Sequence, residues 1–212
     1  MGEIIRAPGV FMAKARHMDI ADGYHILPRG KLANAVTWLE RDVPPGMARP
    51  GAAGRGLRRL RGGDVAAYRA IFAAVGTDWL WASRLAMPDA ELAAHLDKPE
   101  VDAFVAQSDG RDIGLLELET AAEGVEVLYF GLVPQAFGQG AGRWLMQEAI
   151  ALASARGATR IGLHSCSFDH PGAVRFYRSC GFAPYAQGFE VMDDPRATGL
   201  LPVGAAAHVP LL

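Results

Sequence analysis

Cysteine is scarce in this chain: Cys166 and Cys180 are the only two in 212 residues. Two cysteines cannot build the disulfide framework of a small secreted domain. Long apolar runs are missing too, since none approaches the ~18 residues that span a bilayer. Residues 1–16 lack the apolar core of a signal peptide. The expectation is a cytoplasmic protein with no membrane partner. Neither sign of charge dominates, with 21 Lys+Arg against 23 Asp+Glu and a formal net charge of -2. That leaves no global basic field for duplex binding, so no nucleic-acid partner is expected. His, Cys, Asp and Glu nowhere recur at metal-ligand spacing. Asp169-His170 reads as a helix cap before it reads as a ligand pair, and no metal is expected.

Hydrophobic residues make up 50% of the chain, enough for a sizeable unaided core at this length. Residues 1–30 read as a poorly ordered leader, 31–192 as one domain, and 193–212 as a C-terminal tail that wraps the surface. Within the domain, Ala35–Leu39 alternates as a strand. The Pro-, Gly- and Ala-rich stretch 46–56 reads as a mobile linker. Gly56–Arg61 is a short strand, and its arginines read better as a solvated face than as a phosphate patch.

Asp64 is placed to cap a helix carrying Val65, Tyr68, Ile71, Phe72 and Val75 at helical spacing, with Gly76 to stop it. A second helix starts near Asp89, with Leu92 and Leu96 on one face. The period then switches to two. Val101–Gln107, Ile113–Glu119 and Val125–Val133 are joined by short turns and predict an antiparallel meander. A helix over about 140–156, a strand at Arg160–Cys166, a helix at Pro171–Cys180 and a strand at Pro184–Val191 follow. The strand–helix–strand unit from Val125 to Cys166 predicts a right-handed parallel crossover. The fold class is α+β, a mixed and mostly antiparallel sheet with helices on both faces.

Glycine is enriched, 25 of 212 residues against the usual ~7%. Three glycines, Gly138, Gly140 and Gly142, alternate where the Val125–Val133 strand ends and the long helix begins. Small residues there let successive backbone N–H groups turn toward one point. The helix N-terminus adds about half a positive charge. Together these suit a phosphate or pyrophosphate. A P-loop needs Lys then Ser or Thr after its last glycine, whereas Arg143-Trp144 stand here. A dinucleotide fold needs a different glycine spacing at the start of a parallel sheet. A packing-only turn is the bland alternative. Downstream, Asp169-His170-Pro171 opens a helix in which Ala173 and Tyr177 share one face, and Gly181-Phe182 closes it. Read alone, Tyr177 is a core aromatic.

Taken together, the two segments resemble the GNAT superfamily of acetyl-CoA-dependent N-acyltransferases. The run Val133-Pro134, then Gly138, Gly140 and Gly142, looks like its pyrophosphate loop. The run His170-Pro171, Ala173, Tyr177, Gly181-Phe182 looks like the motif that flanks the cofactor thiol. Trp79-Leu80-Trp81, Tyr129-Phe130-Gly131-Leu132-Val133-Pro134 and Asp169-His170-Pro171 together resemble a bacterial subgroup of that superfamily. The resemblance covers about residues 57–192.

It implies acetyl-CoA as cofactor and two splayed parallel strands with the pantetheine arm between them. Leu132 and Val133 would pair with that arm through their backbones. Phe137, Gly138, Gln139, Gly140, Ala141, Gly142 and Arg143 would hold the pyrophosphate. His170 and Ala173 would flank the cofactor, and Tyr177 would protonate the leaving thiolate. Two positions depart from the family pattern. Phe137 stands where Arg or Gln is usual, and His170 stands where many members have Asn.

The base is placed at Glu126, with Glu117 and His164 as the other candidates. Simple alternation puts Glu126, Leu128 and Phe130 on one strand face and Val127 and Tyr129 on the other. Solvent-facing or structural roles compete for all three. Trp79 and Trp81 are candidates for the acceptor pocket, one in the core and one facing the cleft. Cys166 reads as an inert thiol. The implied function is direct acetyl transfer to an amine of a small molecule or peptide. A non-catalytic acyl-CoA sensor is the alternative, as is a transferase with another donor or a hydroxyl acceptor. The resemblance also implies a homodimer through the C-terminal strands, although the tail reads equally as an intramolecular wrap.

Overall fold

The computed structural model describes residues 20–122 and 124–212. The expected leader falls largely on residues 1–19, which lie outside the described residues. Seven strands form one sheet: β1 (Lys31–Asp42), β2 (Arg55–Leu60), β3 (Val101–Ser108), β4 (Arg111–Ala121), β5 (Gly124–Leu132), β6 (Arg160–Cys166) and β7 (Ala183–Asp193). Their spatial order is β2-β3-β4-β5-β6-β1-β7. The β5–β6 pair is parallel, and the other neighbouring pairs are antiparallel. The mixed α+β architecture is the one expected.

Helices α1 (Val65–Gly76), α2 (Ser83–Ala86) and α3 (Asp89–Leu96) lie on one face, and α4 (Ala141–Ala155) and α5 (Ala173–Ser179) on the other. The sequence explains this division. In α1, Tyr68, Ile71, Phe72 and Val75 recur at helical spacing and are buried against Val105 and Leu115 of the sheet. In α4, Leu145, Ala149 and Ile150 meet Leu116, Leu118, Val127 and Leu163 from the opposite side. Truncating one of these large core residues, such as Phe72 to Ala, costs about 3–5 kcal/mol.

Strand β1 is longer than its alternation predicts. It runs twelve residues and lies between β6 and β7, antiparallel to both. The pattern hides its start because Asn34, a polar residue, is buried. The stretch that follows is tied down rather than free of partners. The Met47 N–H donates to Ser154 Oγ at 3.1 Å, Ser154 donates to the Pro44 carbonyl at 2.8 Å, and Arg49 pairs with buried Glu148 at 2.5 Å.

One irregularity positions the site. Leu118 pairs with Val127, but Glu117 pairs with Tyr129, so β5 carries an extra residue at Leu128. A bulge of this kind reverses strand alternation beyond it. Val127 and Phe130 therefore both pack toward α4, while Tyr129 packs toward α1. Simple alternation grouped Phe130 with Glu126 and Val127 with Tyr129; the bulge overturns that grouping. The β5–β6 pairing covers Val125↔Ile161, Glu126↔Gly162 and Val127↔Leu163, and stops at the bulge. Beyond it a gap opens between the two parallel strands.

The tail packs back on its own chain. Leu201, Ala205 and Ala206 are buried with Leu80, Phe168 and Leu32. A buried ion pair, Arg196 to Asp194 at 2.8 Å, organises this segment. The same guanidinium donates to the Val209 carbonyl at 2.7 Å and the Ala205 carbonyl at 3.2 Å. Among the described residues, no helix is long and apolar enough to cross a membrane.

Candidate active site

The gap between β5 and β6 opens into a cavity of about 550 Å³. Leu128 to Leu132 line one side and His164 and Cys166 the other. The glycine loop and α5 close one end. Trp79–Ser83, with Asn34, Glu190 and Met192 from β1 and β7, surround the other end.

At the first end, Gly138 and Gly140 adopt positive φ of 75° and 73°. These left-handed conformations favour glycine and turn the chain into α4. Among the described residues, the amides of 138–143 donate no hydrogen bond within the protein. Six consecutive free donors at the N-terminus of a 15-residue helix form an anion cradle. This is what a pyrophosphate requires, so the residues present fit coenzyme A. Arg143 points elsewhere and donates to Ser179 Oγ at 3.2 Å. Phe137 is 43% exposed and stacks edge-on against His170 with centroids 5.7 Å apart. The His170 Nδ1 accepts from the Gly172 N–H at 3.0 Å, so the imidazole caps the turn into α5.

In the gap, both polar backbone groups of Val133 already have a partner in the protein. Its N–H donates to the Ile113 carbonyl at 2.9 Å and its carbonyl accepts from Ala136 at 2.9 Å. The Val133 N–H is thus engaged by β4, which leaves its carbonyl one lone pair for a further donor. By the alternation of antiparallel bonding, Phe130 and Leu132 present free backbone groups toward β6. Ala173 lines the same cavity.

Tyr177 also lines it. Its ring is held by Phe176 at 5.5 Å, Phe130 at 6.0 Å and Phe182 at 6.3 Å. Its hydroxyl has no hydrogen-bond partner among the described residues. Burial, then the negative charge of Asp169, pushes its pKa well above the usual tyrosine value. The phenol therefore keeps its proton. Cys166 is pushed up to about 11, first by burial and then by Asp169, so it is no thiolate at neutral pH.

The three candidate bases have different surroundings. Glu117 does not reach the cavity. It is 0% exposed and accepts hydrogen bonds from Arg84 at 2.7 Å and from Tyr68. His95 Nε2 lies 2.8 Å from the same carboxylate. Burial alone would raise its pKa, but these partners hold it below the usual range. A carboxylate so fully engaged is a structural ion-pair centre. Glu126 is half-buried and stands behind His164, with Oε1 3.8 Å from Nδ1. His164 alone of the three lines the cavity. The Glu126 carboxylate beside it raises its pKa, against the opposing effect of partial burial.

Both tryptophans line the cavity. Trp81 lies 5.4 Å from Phe72 and 5.0 Å from Tyr129. It covers Gly76, where a Cβ would meet the indole at 2.6 Å. Trp79 contacts His170 at 5.5 Å and His208 of the tail at 5.7 Å. Sequence reasoning missed Asn34, Glu190 and His208. None belongs to a motif, and the sheet order brings the first two in.

More than half of the chain, residues 68–182, matches the model of the Acetyltransferase (GNAT) family. The chain belongs to the GNAT acetyltransferase family. Acetyl-CoA is the donor that family uses. A putative GNAT acetyltransferase from Novosphingobium aromaticivorans superposes with a TM-score of 0.55 at 21% identity, covering 79% of this chain and 68% of that one. A GCN5-related N-acetyltransferase from Sphaerobacter thermophilus gives 0.57 at 18% identity, covering 76% and 52%. An aminoglycoside acetyltransferase from an uncultured soil metagenomic sample gives 0.51 at 18% identity, covering 60% and 90%. These likenesses establish the shared fold. The chain spans 52% to 68% of the length of the first two structures. No curated protein matches the chain.

Proposed function

We propose that this protein transfers acetyl from acetyl-CoA directly to a primary amine of a small molecule or peptide. One observation carries the reading: the glycine loop, the Tyr177 hydroxyl and the His164 imidazole all line one cavity. Acetyl-CoA supplies an acyl carbon activated as a thioester. The loop amides hold its pyrophosphate, and the free backbone edge of β5 aligns its arm.

His164, oriented by Glu126, takes one proton from the acceptor ammonium and leaves a neutral nitrogen. That nitrogen forms the new C–N bond as the C–S bond breaks. Tyr177 gives its proton to the departing sulfur, the second amine proton passes through water to the Tyr177 phenolate, and His164 releases the first to solvent. A sensor would need no base in the cavity, and His164–Glu126 favours the enzyme reading. The two free thiols, Cys166 and Cys180, fit a reducing cytoplasm.

The test has two parts. A thermal-shift titration compares acetyl-CoA with NADH and ATP. A ligand at ~100 times its Kd adds about 2.7 kcal/mol of stability. A thiol-release assay then follows turnover with an amine panel. The expected result is a shift with acetyl-CoA alone and amine-dependent thiol release. A shift without turnover on any amine would convert the protein into an acyl-CoA sensor.

A further inference from the structure

Strand β1 inserts between β6 and β7 and brings Asn34 beside Glu190. Asn34 is 3% exposed and lines the cavity. Its Nδ2 donates to Glu190 Oε2 at 3.1 Å. Its Oδ1 is buried and has no hydrogen-bond partner among the described residues. An orphaned amide oxygen is costly unless something donates to it.

Glu190 also lines the cavity, and its charge acts on Tyr129, His164 and Cys166. Two acceptor groups, one of them charged, thus sit together beside the candidate base. Around them are the rings of Trp79, Trp81, Tyr129 and Phe168. No lysine or arginine is among the described residues lining the cavity. Arg84 lies 5.1 Å over the Tyr129 ring, but Glu117 claims its charge. Of the two other carboxylate-bearing candidates, Asp169 is tied to Ser165 Oγ at 2.9 Å and to the Cys166 N–H at 2.8 Å, and Glu126 stands behind His164.

We infer that Glu190, held by Asn34, is the acceptor-recognition group, and that the acceptor is an alkylammonium on an aromatic-sized apolar body that carries no carboxylate or phosphate. This rests on the amine-acceptor reading above. The ammonium donates to Glu190, which the Asn34 amide holds in place, while the body lies among the rings, where cation–π contact adds to the attraction. An α-carboxylate would face Glu190 with no lysine or arginine among the described lining residues to balance it. The site therefore selects by repulsion as well as attraction.

The experiment saturates the protein with coenzyme A and measures the Kd of phenethylamine and of phenylalanine by calorimetry. The two share a ring and an amine and differ by a carboxylate. Phenethylamine is expected to bind at least tenfold more tightly. Glu190 is surface-accessible, so Glu190→Gln is expected to fold. It should bring the ratio close to one, and Glu190→Lys should reverse it, with coenzyme A affinity unchanged in both. Equal binding of the two probes, or a ratio that Glu190→Gln leaves intact, overturns the inference. Turnover is scored separately with acetyl-CoA. Selective binding of phenethylamine without turnover of any amine upholds the pocket assignment and refutes the acetyltransferase reading. Turnover without selectivity does the reverse.

Discussion

Replacing Glu126 with Gln keeps the side chain's size and removes its charge, and the consequence for His164 can be worked from the geometry. The carboxylate oxygen lies 3.8 Å from Nδ1. At that separation a unit charge pair is worth about 1.1 kcal/mol in bulk water and about 4 kcal/mol at an effective dielectric of 20. His164's side chain is 47% exposed and that of Glu126 22%, so solvent screening keeps the value near the lower figure. Losing that attraction destabilises the imidazolium, so the His164 pKa falls when residue 126 is neutral.

The sign follows from which form works. Glu126 stabilises the imidazolium and raises the pKa, whereas the neutral ring is the base. Wild-type kcat should therefore rise with pH through a value above the ordinary ~6.5 of histidine. In Glu126→Gln that limb should move to lower pH, with plateau kcat reduced by lost orientation of the ring. The assay is initial rate of thiol release at saturating acetyl-CoA and acceptor across pH 5 to about 9. An acid limb that stays in place, or moves upward, refutes the pairing of these two residues as the base.

Tyr177→Phe should lower kcat about a hundredfold, the range of general-acid losses, with acetyl-CoA affinity unchanged by calorimetry. Glu117→Ala strands Arg84 and Tyr68 in the core. It should cost about 3–5 kcal/mol, read as a fall of about 10 °C in Tm for a domain of this size. Because Glu117 is held below its usual pKa, its contribution to wild-type stability is present above about pH 4 and is lost as pH falls through the depressed value. Arg196→Ala leaves buried Asp194 unpaired. It should cost about 2 kcal/mol and open the tail to limited proteolysis while acetyl-CoA binding persists.

Local chemistry was legible where one short segment contains the whole device. The glycine loop is such a segment, because its turn, its free amides and its helix start all lie within 138–143. Tyr177 could be placed as well, since α5 fixes which residues share its face. Strand β6 was read to the residue, Arg160–Cys166. Other features needed contacts distant in sequence. No property of residues 124–132 announces the bulge at Leu128; it appears only in register against β4. Glu117 looked like a base because its strand is right, but α1, α2 and α3 deliver Tyr68, Arg84 and His95 to it. Asn34 and Glu190 are 156 residues apart and meet because β1 inserts beside β7.

The two departures from the family pattern explain each other once their contacts are known. Phe137 stands against His170, His170 against Trp79, and Trp79 against His208. Edge-to-face contacts of this kind contribute about 0.5–1.5 kcal/mol each. A polar residue at 137 would offer one side-chain donor to a phosphate. Phenylalanine gives that up, and on the proposed reading six unpartnered amides with the α4 dipole would carry the anion instead. His170 keeps a cap on the turn into α5 through Nδ1 and presents its ring to Phe137 and Trp79, which the shorter asparagine has no ring to do. The pair thus exchanges polar contacts for an aromatic line from the pyrophosphate loop to the tail. On the function proposed above, that line joins the cofactor end of the cavity to its acceptor end.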